Sequence, residues 1–424
     1  MADISVIGAG YVGLTTAVGM ASLGHRVIAA DIDPARIHML NDGHMPIVEE
    51  GMEELLRSEL AVGRLRFVLG AEAAVVESEF HFLCLPTPPG ADGAADLSFV
   101  LAVAEQVRAA LPTNSILINK STVPVGTARM VGDVIDRPDV AVVSNPEFLR
   151  EGSALADFLD PDRVVIGGEP FATERVAALF AGLDTTILRT DERSSELIKY
   201  ASNAYLATKL TFVNEMAEVC EELGADIDAV MSGMGHDRRI GTSYLNPGPG
   251  WGGSCFPKDT EALVHIAASV DVEFDFLRNV ISLNHRHIRR IADKVERQLG
   301  GDVSGKRVAA WGLTFKAGTD DLRDSPAIAV LRLLVERGAD VVAYDPAVSQ
   351  PPPVLAEIKV VADPLEAVRD AETLVVLTEW PVFTSIELAA VAEAMSEPRV
   401  VDARNLLDRD SLAALGFIVS GVGR

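Results

Sequence analysis

Ile4-Ser5-Val6-Ile7-Gly8-Ala9-Gly10-Tyr11-Val12-Gly13 is the stretch that decides the fold. It runs on through an apolar segment to about Leu23, then Gly24, then Arg26-Val27-Ile28-Ala29-Ala30-Asp31. The first four residues read as a buried strand. The glycine turn opens a helix that Gly24 stops, and the second strand ends in an acid. A G-x-G-x-x-G turn between a strand and a helix lets a pyrophosphate approach the free N–H groups at the helix N-terminus. An acid closing the second strand suits the adenosine ribose hydroxyls and repels a 2′-phosphate, which favours NAD over NADP. The glycines alone are a weak signal; the order strand, turn, helix, strand, acid makes them a nucleotide site.

Further strand-and-helix units follow. Phe80-His81-Phe82-Leu83-Cys84-Leu85 runs to Pro86-Thr87-Pro88, and Ser115-Ile116-Leu117-Ile118-Asn119-Lys120 runs to Ser121-Thr122-Val123-Pro124-Val125-Gly126. Ala141-Val142-Val143-Ser144 leads into Asn145-Pro146-Glu147-Phe148-Leu149-Arg150-Glu151-Gly152. In an open parallel sheet the ligand crevice lies at the carboxyl ends of the strands, so Thr87, Thr122, Glu147 and Glu151 are its candidates. Cys84 lies within an apolar strand and reads as inert core.

The 424 residues suggest two or three domains, and an apolar share of 48% supports sizeable cores. The formal net charge of −25 argues against nucleic-acid or anionic-membrane partners, which need basic surface. Local basic residues still leave room for an anionic small substrate. The three cysteines, Cys84, Cys220 and Cys255, stand far apart and have no metal-ligand spacing, so no metal is expected and a reducing cytoplasm fits. Met1 leads straight into a strand-like run, and no long uninterrupted apolar segment appears, so neither a signal peptide nor a membrane span is expected.

Gly250-Trp251-Gly252-Gly253-Ser254-Cys255-Phe256-Pro257-Lys258-Asp259 follows the run Pro247-Gly248-Pro249-Gly250, which reads as flexible. Lys258, Asp259 and Thr260 can open a helix. A thiol at such a junction gains thiolate character from the helix dipole and from a neighbouring ammonium. A glycine- and proline-rich loop with a chance cysteine is the competing reading. Upstream, the segment from about Asp191 to Leu223 holds no glycine or proline and reads as one long helix. Leu197, Ala201, Ala204, Thr208, Phe212, Met216 and Val219 recur at helical spacing, an apolar face for bridging domains or pairing with a second subunit. Lys199 and Asn203 are four apart and share a face; read locally, Lys199 is a solvated surface lysine. Cys220, late in the helix, reads as structural. Beyond Gly305-Lys306-Arg307-Val308-Ala309-Ala310-Trp311-Gly312 a second parallel sheet is expected, without the glycine fingerprint. Its first strand leads into the polar loop Phe315-Lys316-Ala317-Gly318-Thr319-Asp320-Asp321-Leu322-Arg323-Asp324-Ser325-Pro326. That loop suits phosphate or carboxylate contacts, or is simply solvated.

Taken together, GAGYVG with Asp31, KSTVPVG (Lys120 to Gly126), NPEFLREG (Asn145 to Gly152), ELIKYASNAYLATK (Glu196 to Lys209), GGSCFPKD and FKAGTDDLRDSP resemble the UDP-glucose/GDP-mannose dehydrogenase family across essentially the whole chain. Arg238-Arg239-Ile240-Gly241-Thr242-Ser243-Tyr244 is most similar to the branch that oxidises UDP-glucose. The resemblance implies an α/β fold of two Rossmann-like parallel-sheet domains joined by a long central helix. It divides the chain into an NAD-binding domain (1–190), a central helical dimerisation region with the cysteine loop (191–300) and a UDP-sugar-binding domain (301–424). It further implies a homodimer in which Arg239 reaches the neighbouring site.

The same resemblance implies a four-electron oxidation of a sugar primary alcohol to a carboxylate with two NAD reduced, UDP-glucose giving UDP-glucuronate. Cys255 would be the nucleophile, passing through a thiohemiacetal and a thioester. Lys199 and Asn203 would stabilise the oxyanion, while Asp259, Thr122 and Glu151 would hold and activate water. Gly8, Gly10, Tyr11, Val12, Gly13, Asp31, Thr87, Thr122, Lys258 and Arg323 fall at cofactor positions. Glu147, Phe148, Leu149, Lys199, Asn203, Arg239, Tyr244, Gly252 and Lys316 fall at substrate positions. Three alternatives stand beside this. One is the same chemistry on GDP-mannose or UDP-N-acetylmannosamine. Another is a two-electron dehydrogenase of small β-hydroxyacids, against which Cys255 and the residues after 305 count. The last is a catalytically silent nucleotide-sugar sensor, which need not retain Cys255, Lys199 and Asp259 together.

Overall fold

Short apolar strands alternating with helices build two separate sheets. The computed structural model describes residues 1–88, 90 and 94–424. They form two units, Met1–Ser202 with His265–Asp271, and Asn203–Val264 with Val272–Arg424.

The first unit carries β1 (Asp3–Ile7), β2 (Arg26–Asp31), β3 (Leu65–Leu69), β4 (Phe80–Leu83), β5 (Ile116–Asn119), β6 (Ala141–Ser144), β7 (Arg163–Gly167) and β8 (Thr186–Thr190) in the order β3-β2-β1-β4-β5-β6-β7-β8. Every pairing is parallel except β6 with β7, which meet through the single pair Ser144 and Gly167. All of β4 and β5, and nearly all of β1, is buried, so these strands read as continuous apolar runs rather than alternating ones. The strand order reverses between β1 and β4, where a doubly wound sheet opens its crevice. β4 stops two residues short of the Leu85 suggested by the sequence, because the Leu85 N–H donates to the Ser121 hydroxyl at 2.8 Å instead of to a strand.

The second unit holds β9 (Arg307–Trp311), β10 (Asp340–Tyr344), β11 (Lys359–Val360), β12 (Thr373–Val376), β13 (Arg399–Asp402) and β14 (Ile418–Ser420), ordered β11-β10-β9-β12-β13-β14. All its pairings are parallel. The expected second parallel sheet is therefore present, with its own reversal between β9 and β12.

The central helix is continuous from Glu192 to Leu223, 32 residues or about 48 Å at 1.5 Å per residue, and the division between units falls within it. The expected apolar face differs from the buried one. Leu197, Ala201, Phe212 and Val219 are exposed, as are Tyr205 and Leu223. The buried side is Ser195, Glu196, Lys199, Tyr200, Asn203, Ala204, Ala207, Thr211, Val213, Asn214, Ala217 and Cys220. Helical periodicity finds a stripe but does not tell which stripe the rest of the chain covers, and here the covered one mixes polar and apolar residues. Lys199, read locally as solvated, is 3% exposed.

Candidate active site

The glycine turn separates into two jobs. A Cβ built on Gly8, whose φ is +97°, would stand 2.3 Å from the Cys84 carbonyl oxygen, and one on Gly13 would stand 1.8 Å from that of Gly8. These two glycines permit backbone contact. Gly10 has nothing within 4 Å of its would-be Cβ, so it faces open space and leaves the N-terminus of helix Tyr11–Ser22 approachable. Asp31 closes β2 and accepts from the Ala9 N–H at 2.9 Å and the Asp33 N–H at 3.0 Å. Arg36, which sequence reasoning missed, has Nη1 3.5 Å from Asp31 Oδ2 and donates to the Ala9 carbonyl at 3.5 Å. Its only sequence signal is its place on the helix after β2. The open turn beside a carboxylate fits a dinucleotide: Gly8 to Gly13 would meet the pyrophosphate and Asp31 the ribose. Val12 packs partly buried against the first-unit core, and the Tyr11 hydroxyl accepts from the Gly152 N–H at 3.0 Å. Glu49, also missed, accepts from the Gly152 and Ala154 N–H groups and ties the NPEFLREG turn down.

At the carboxyl ends of β4, β5 and β6 the structure brings together residues scattered in sequence. The Thr87 hydroxyl donates to the Thr122 carbonyl at 2.9 Å. Glu147 is buried, with Oε1 2.9 Å from Lys199 Nζ and Oε2 accepting from the Leu149 N–H at 2.7 Å. Burial alone would push this carboxyl up. The Lys199 ammonium, its hydrogen bond, the Leu149 N–H and the more distant Lys120 outweigh burial and hold it below the usual carboxylate range. Lys120 Nζ donates to Asn145 Oδ1 at 3.0 Å, and burial brings its ammonium down to about 8. The Phe148 ring lies 3.8 Å from the Arg163 guanidinium and 5.5 Å from Lys199 Nζ. Glu151 lies half-buried in the turn before Gly152. Glu196, one turn before Lys199, accepts from the Gly126 N–H at 2.6 Å and the Ala128 N–H at 2.8 Å. It thereby caps helix Thr127–Ile135, just after Thr122. Burial raises the Glu196 carboxyl to about 7, and those two N–H groups oppose the rise. Cys84 is buried and its thiol is pushed up to about 12, chiefly by burial, in keeping with an inert role.

In the second unit Cys255 immediately precedes helix Phe256–Ala268, and its carbonyl accepts from the Asp259 N–H at 2.9 Å. The thiol therefore stands at a helix N-terminus, where the dipole favours a thiolate. Ser254 Oγ lies 3.5 Å from Cys255 Sγ. Asp259 is buried one turn on. Its Oδ2 accepts from Asn203 Nδ2 at 2.6 Å, and its Oδ1 lies 2.6 Å from Lys258 Nζ. Lys258, the ammonium that follows the thiol in sequence, is thus paired with Asp259. In the run before the loop, which reads as flexible from sequence, Pro247, Gly248 and Pro249 are buried. A Cβ on Gly252 would stand 1.9 Å from the Asp324 carbonyl oxygen, and the Gly253 N–H donates to the Arg323 carbonyl at 3.1 Å. These glycines serve close packing against the FKAGTDDLRDSP loop.

Four sequence candidates lie apart from these clusters or at their margin. Arg239, with its side chain 88% exposed, forms a bidentate pair with Asp237. Tyr244 holds a left-handed φ of 62°, uncommon for a bulky residue, with its ring 6.4 Å from that of Phe256. Arg323 is exposed and pairs with Asp321, while Lys316 Nζ lies 5.9 Å from the Phe315 ring. Among the described residues no cluster suits a metal ion, and no helix is long and apolar enough to cross a membrane.

A doubly wound sheet that keeps its turn open beside an acid fits a dinucleotide-binding domain. The chain belongs to the UDP-glucose/GDP-mannose dehydrogenase family. Residues 2–184 match that family's NAD binding domain, 193–286 its central domain and 309–409 its UDP binding domain. It is 43% identical over 433 residues to the UDP-glucose 6-dehydrogenase of Rhizobium meliloti, covering 99% of each chain. A UDP-glucose dehydrogenase structure from Pyrobaculum islandicum matches at 37% identity and TM-score 0.90, covering 100% of this chain and 98% of that one. The UDP-D-ManNAc dehydrogenase of Pyrococcus horikoshii matches at 26% and 0.88, covering 99% of each. The chain is accordingly an NAD-dependent nucleotide-sugar dehydrogenase.

Proposed function

We propose that this enzyme oxidises UDP-glucose to UDP-glucuronate through a covalent intermediate on Cys255. The observation that carries the proposal is the placement of Cys255 at the start of helix Phe256–Ala268, with Asp259 one turn on bound by Asn203 and Lys258. The choice of sugar is supported by the 43% identical relative. NAD, when bound, accepts the hydrides. The chain's own residues do the rest. The Cys255 thiolate adds to the C6 aldehyde to give a thiohemiacetal, loss of the second hydride leaves a thioester, and water releases the acid and the thiol. Lys199 and Asn203 supply a cation and an amide donor to the oxyanion. Asp259, Thr122 and Glu151 hold and activate the water, while Glu147 keeps Lys199 placed. Gly8 to Gly13, Asp31, Thr87, Lys258 and Arg323 hold the cofactor. Phe148, Leu149, Arg239, Tyr244, Gly252 and Lys316 contact the nucleotide sugar. In functional terms the chain divides into cofactor (1–190), dimerisation and cysteine-loop (191–300) and UDP-sugar (301–424) parts.

The exposed stripe of Leu197, Tyr205, Phe212, Val219 and Leu223 on the central helix supports a homodimer, with the exposed Arg239 supplied to the neighbouring site. The three free cysteines suit a reducing cytoplasm. The test of the reaction is stoichiometry. Two NADH per UDP-glucose consumed, with faster turnover on UDP-glucose than on UDP-N-acetylmannosamine or GDP-mannose, is the expected result. One NADH per sugar, or a preference for either rival, overturns it.

Asp31 sets the cofactor preference in this reading. Asp31→Ala is expected to narrow the NAD-over-NADP ratio of kcat/KM by about tenfold, since one ribose contact and one repulsion disappear. A wild-type enzyme that already uses both cofactors equally removes this role.

A further inference from the structure

We propose that Asn284, acting with Thr211, is a positioning residue for Cys255: it fixes the backbone of the loop that presents the thiol. The inference rests on the reading of Cys255 as nucleophile and adds residues outside all the motifs that suggested it.

The loop from Pro247 to Gly253 is buried, save the half-buried Gly250, yet forms no helix or strand, so its N–H and C=O groups need other partners. Side chains from two helices supply them. From helix Asp275–Gln298, Asn284 Oδ1 accepts from the Trp251 N–H at 2.9 Å, and Asn284 Nδ2 donates to the Trp251 carbonyl at 2.9 Å. One amide thus grips both backbone groups of a single residue, as a neighbouring strand would. One turn on, His287 Nε2 lies 2.7 Å from the Gly248 carbonyl, so that nitrogen carries the proton and donates. From the central helix, Asn214 Oδ1 accepts from the Gly248 N–H at 3.0 Å, and the Thr211 hydroxyl accepts from the Trp251 indole N–H at 2.8 Å.

The glycines complete the fit. A Cβ on Gly250, at φ +134°, would stand 2.9 Å from Ile288 and 3.0 Å from Asn284 Oδ1. One on Gly248 would stand 2.9 Å from the Arg404 guanidinium. The Trp251 ring then meets the Phe256 ring edge-on at 6.4 Å, and Phe256 follows the thiol directly. Asn284 therefore acts at four residues' distance from Cys255 and reaches it through Trp251. A buried asparagine stripped of these partners would be costly, so its presence among Leu277, Val280, Ile288 and Ile291 is explained by the loop. A misplacement of about 1 Å in a reacting group costs on the order of a hundredfold in rate, so the clamp has a kinetic as well as a structural consequence.

The test compares Asn284→Ala, Thr211→Val and Thr211→Ser in the full-length enzyme. Each variant is assayed for kcat, for KM with UDP-glucose, and for the rate at which iodoacetamide alkylates Cys255, read by peptide mass spectrometry. Circular dichroism checks folding. Asn284→Ala is expected to lower kcat by about tenfold or more with KM within about threefold, and to change the alkylation rate by at least about threefold. Thr211→Val should move both in the same direction, and Thr211→Ser, which keeps the hydroxyl, should return both towards wild type. Folded Asn284→Ala and Thr211→Val with wild-type kcat and alkylation overturn the proposal. If Asn284→Ala does not fold, the Thr211 pair decides by the same criteria. A changed alkylation rate with unchanged kcat would uphold the clamp and remove Cys255 from the chemistry, which separates failure of the clamp from failure of the nucleophile.

Discussion

Cys255→Ser is expected to lose on the order of a thousandfold or more in steady-state turnover of UDP-glucose, with NAD and sugar-nucleotide binding retained. Two hydride losses from one carbon require the aldehyde to stay between them, since free aldehyde hydrates and escapes. The thiolate provides that tether. Cys255 stands at the N-terminus of helix Phe256–Ala268, where the dipole favours its charge. A serine hydroxyl at the same place keeps size and polarity, but its pKa lies far above neutrality and an alkoxide is a poor leaving group. The variant should therefore stall as a slowly hydrolysed ester or fail to capture the aldehyde. Single-turnover NADH release and intact-protein mass spectrometry distinguish the two. A serine variant turning over at the wild-type rate with two NADH per sugar would end the covalent mechanism and reduce the loop to a structural element.

Much of this molecule was legible in its residues, and the limits of that legibility have physical causes. Fully buried parallel strands are written as unbroken apolar runs, so β1, β2, β4 and β5 and the turn between β1 and the first helix could be placed from sequence. The central helix could be placed too, since nothing between Glu192 and Leu223 breaks it. Its buried face could not. Periodicity equates buried with apolar, but Glu196, Lys199, Asn203, Thr211 and Asn214 are all covered and each serves a distant partner. The packing of the run before the cysteine loop was hidden for a related reason. Glycine and proline mark both mobile loops and tightly packed ones, and only the positions of Asp324, Phe315 and Ile288 around Gly252, Gly253 and Gly250 tell the second case from the first. Residues acting across long sequence separations through a single side chain, such as Glu49, Asn284 and His287, leave no local pattern at all.

Glu147→Gln carries the other large expected effect, and it falls on stability and on catalysis together. The native pair places Glu147 Oε1 2.9 Å from Lys199 Nζ, with both side chains buried. Removing one partner of a buried ion pair typically costs about 3–5 kcal/mol, because the remaining charge keeps its desolvation penalty. For a chain of this size that corresponds to a fall in melting temperature of roughly 3–6 °C near neutral pH. The pH dependence gives the assignment its direction. The folded carboxyl is held below its ordinary value of 4.5 against the effect of burial, so the unfolded chain binds the extra proton more readily. Its contribution is fully present above that ordinary value and is lost as pH falls through the lower folded one. Wild type and Glu147→Gln should therefore differ most in melting temperature at neutral pH and converge as the solution is acidified below 4.5. The variant should also lose turnover, because Lys199 is the cation assigned to the oxyanion and Glu147 holds its ammonium. Equal melting temperatures at neutral pH, with equal kcat, would mean that the pair neither stabilises the first unit nor places the lysine, and Lys199 would then have to act without Glu147.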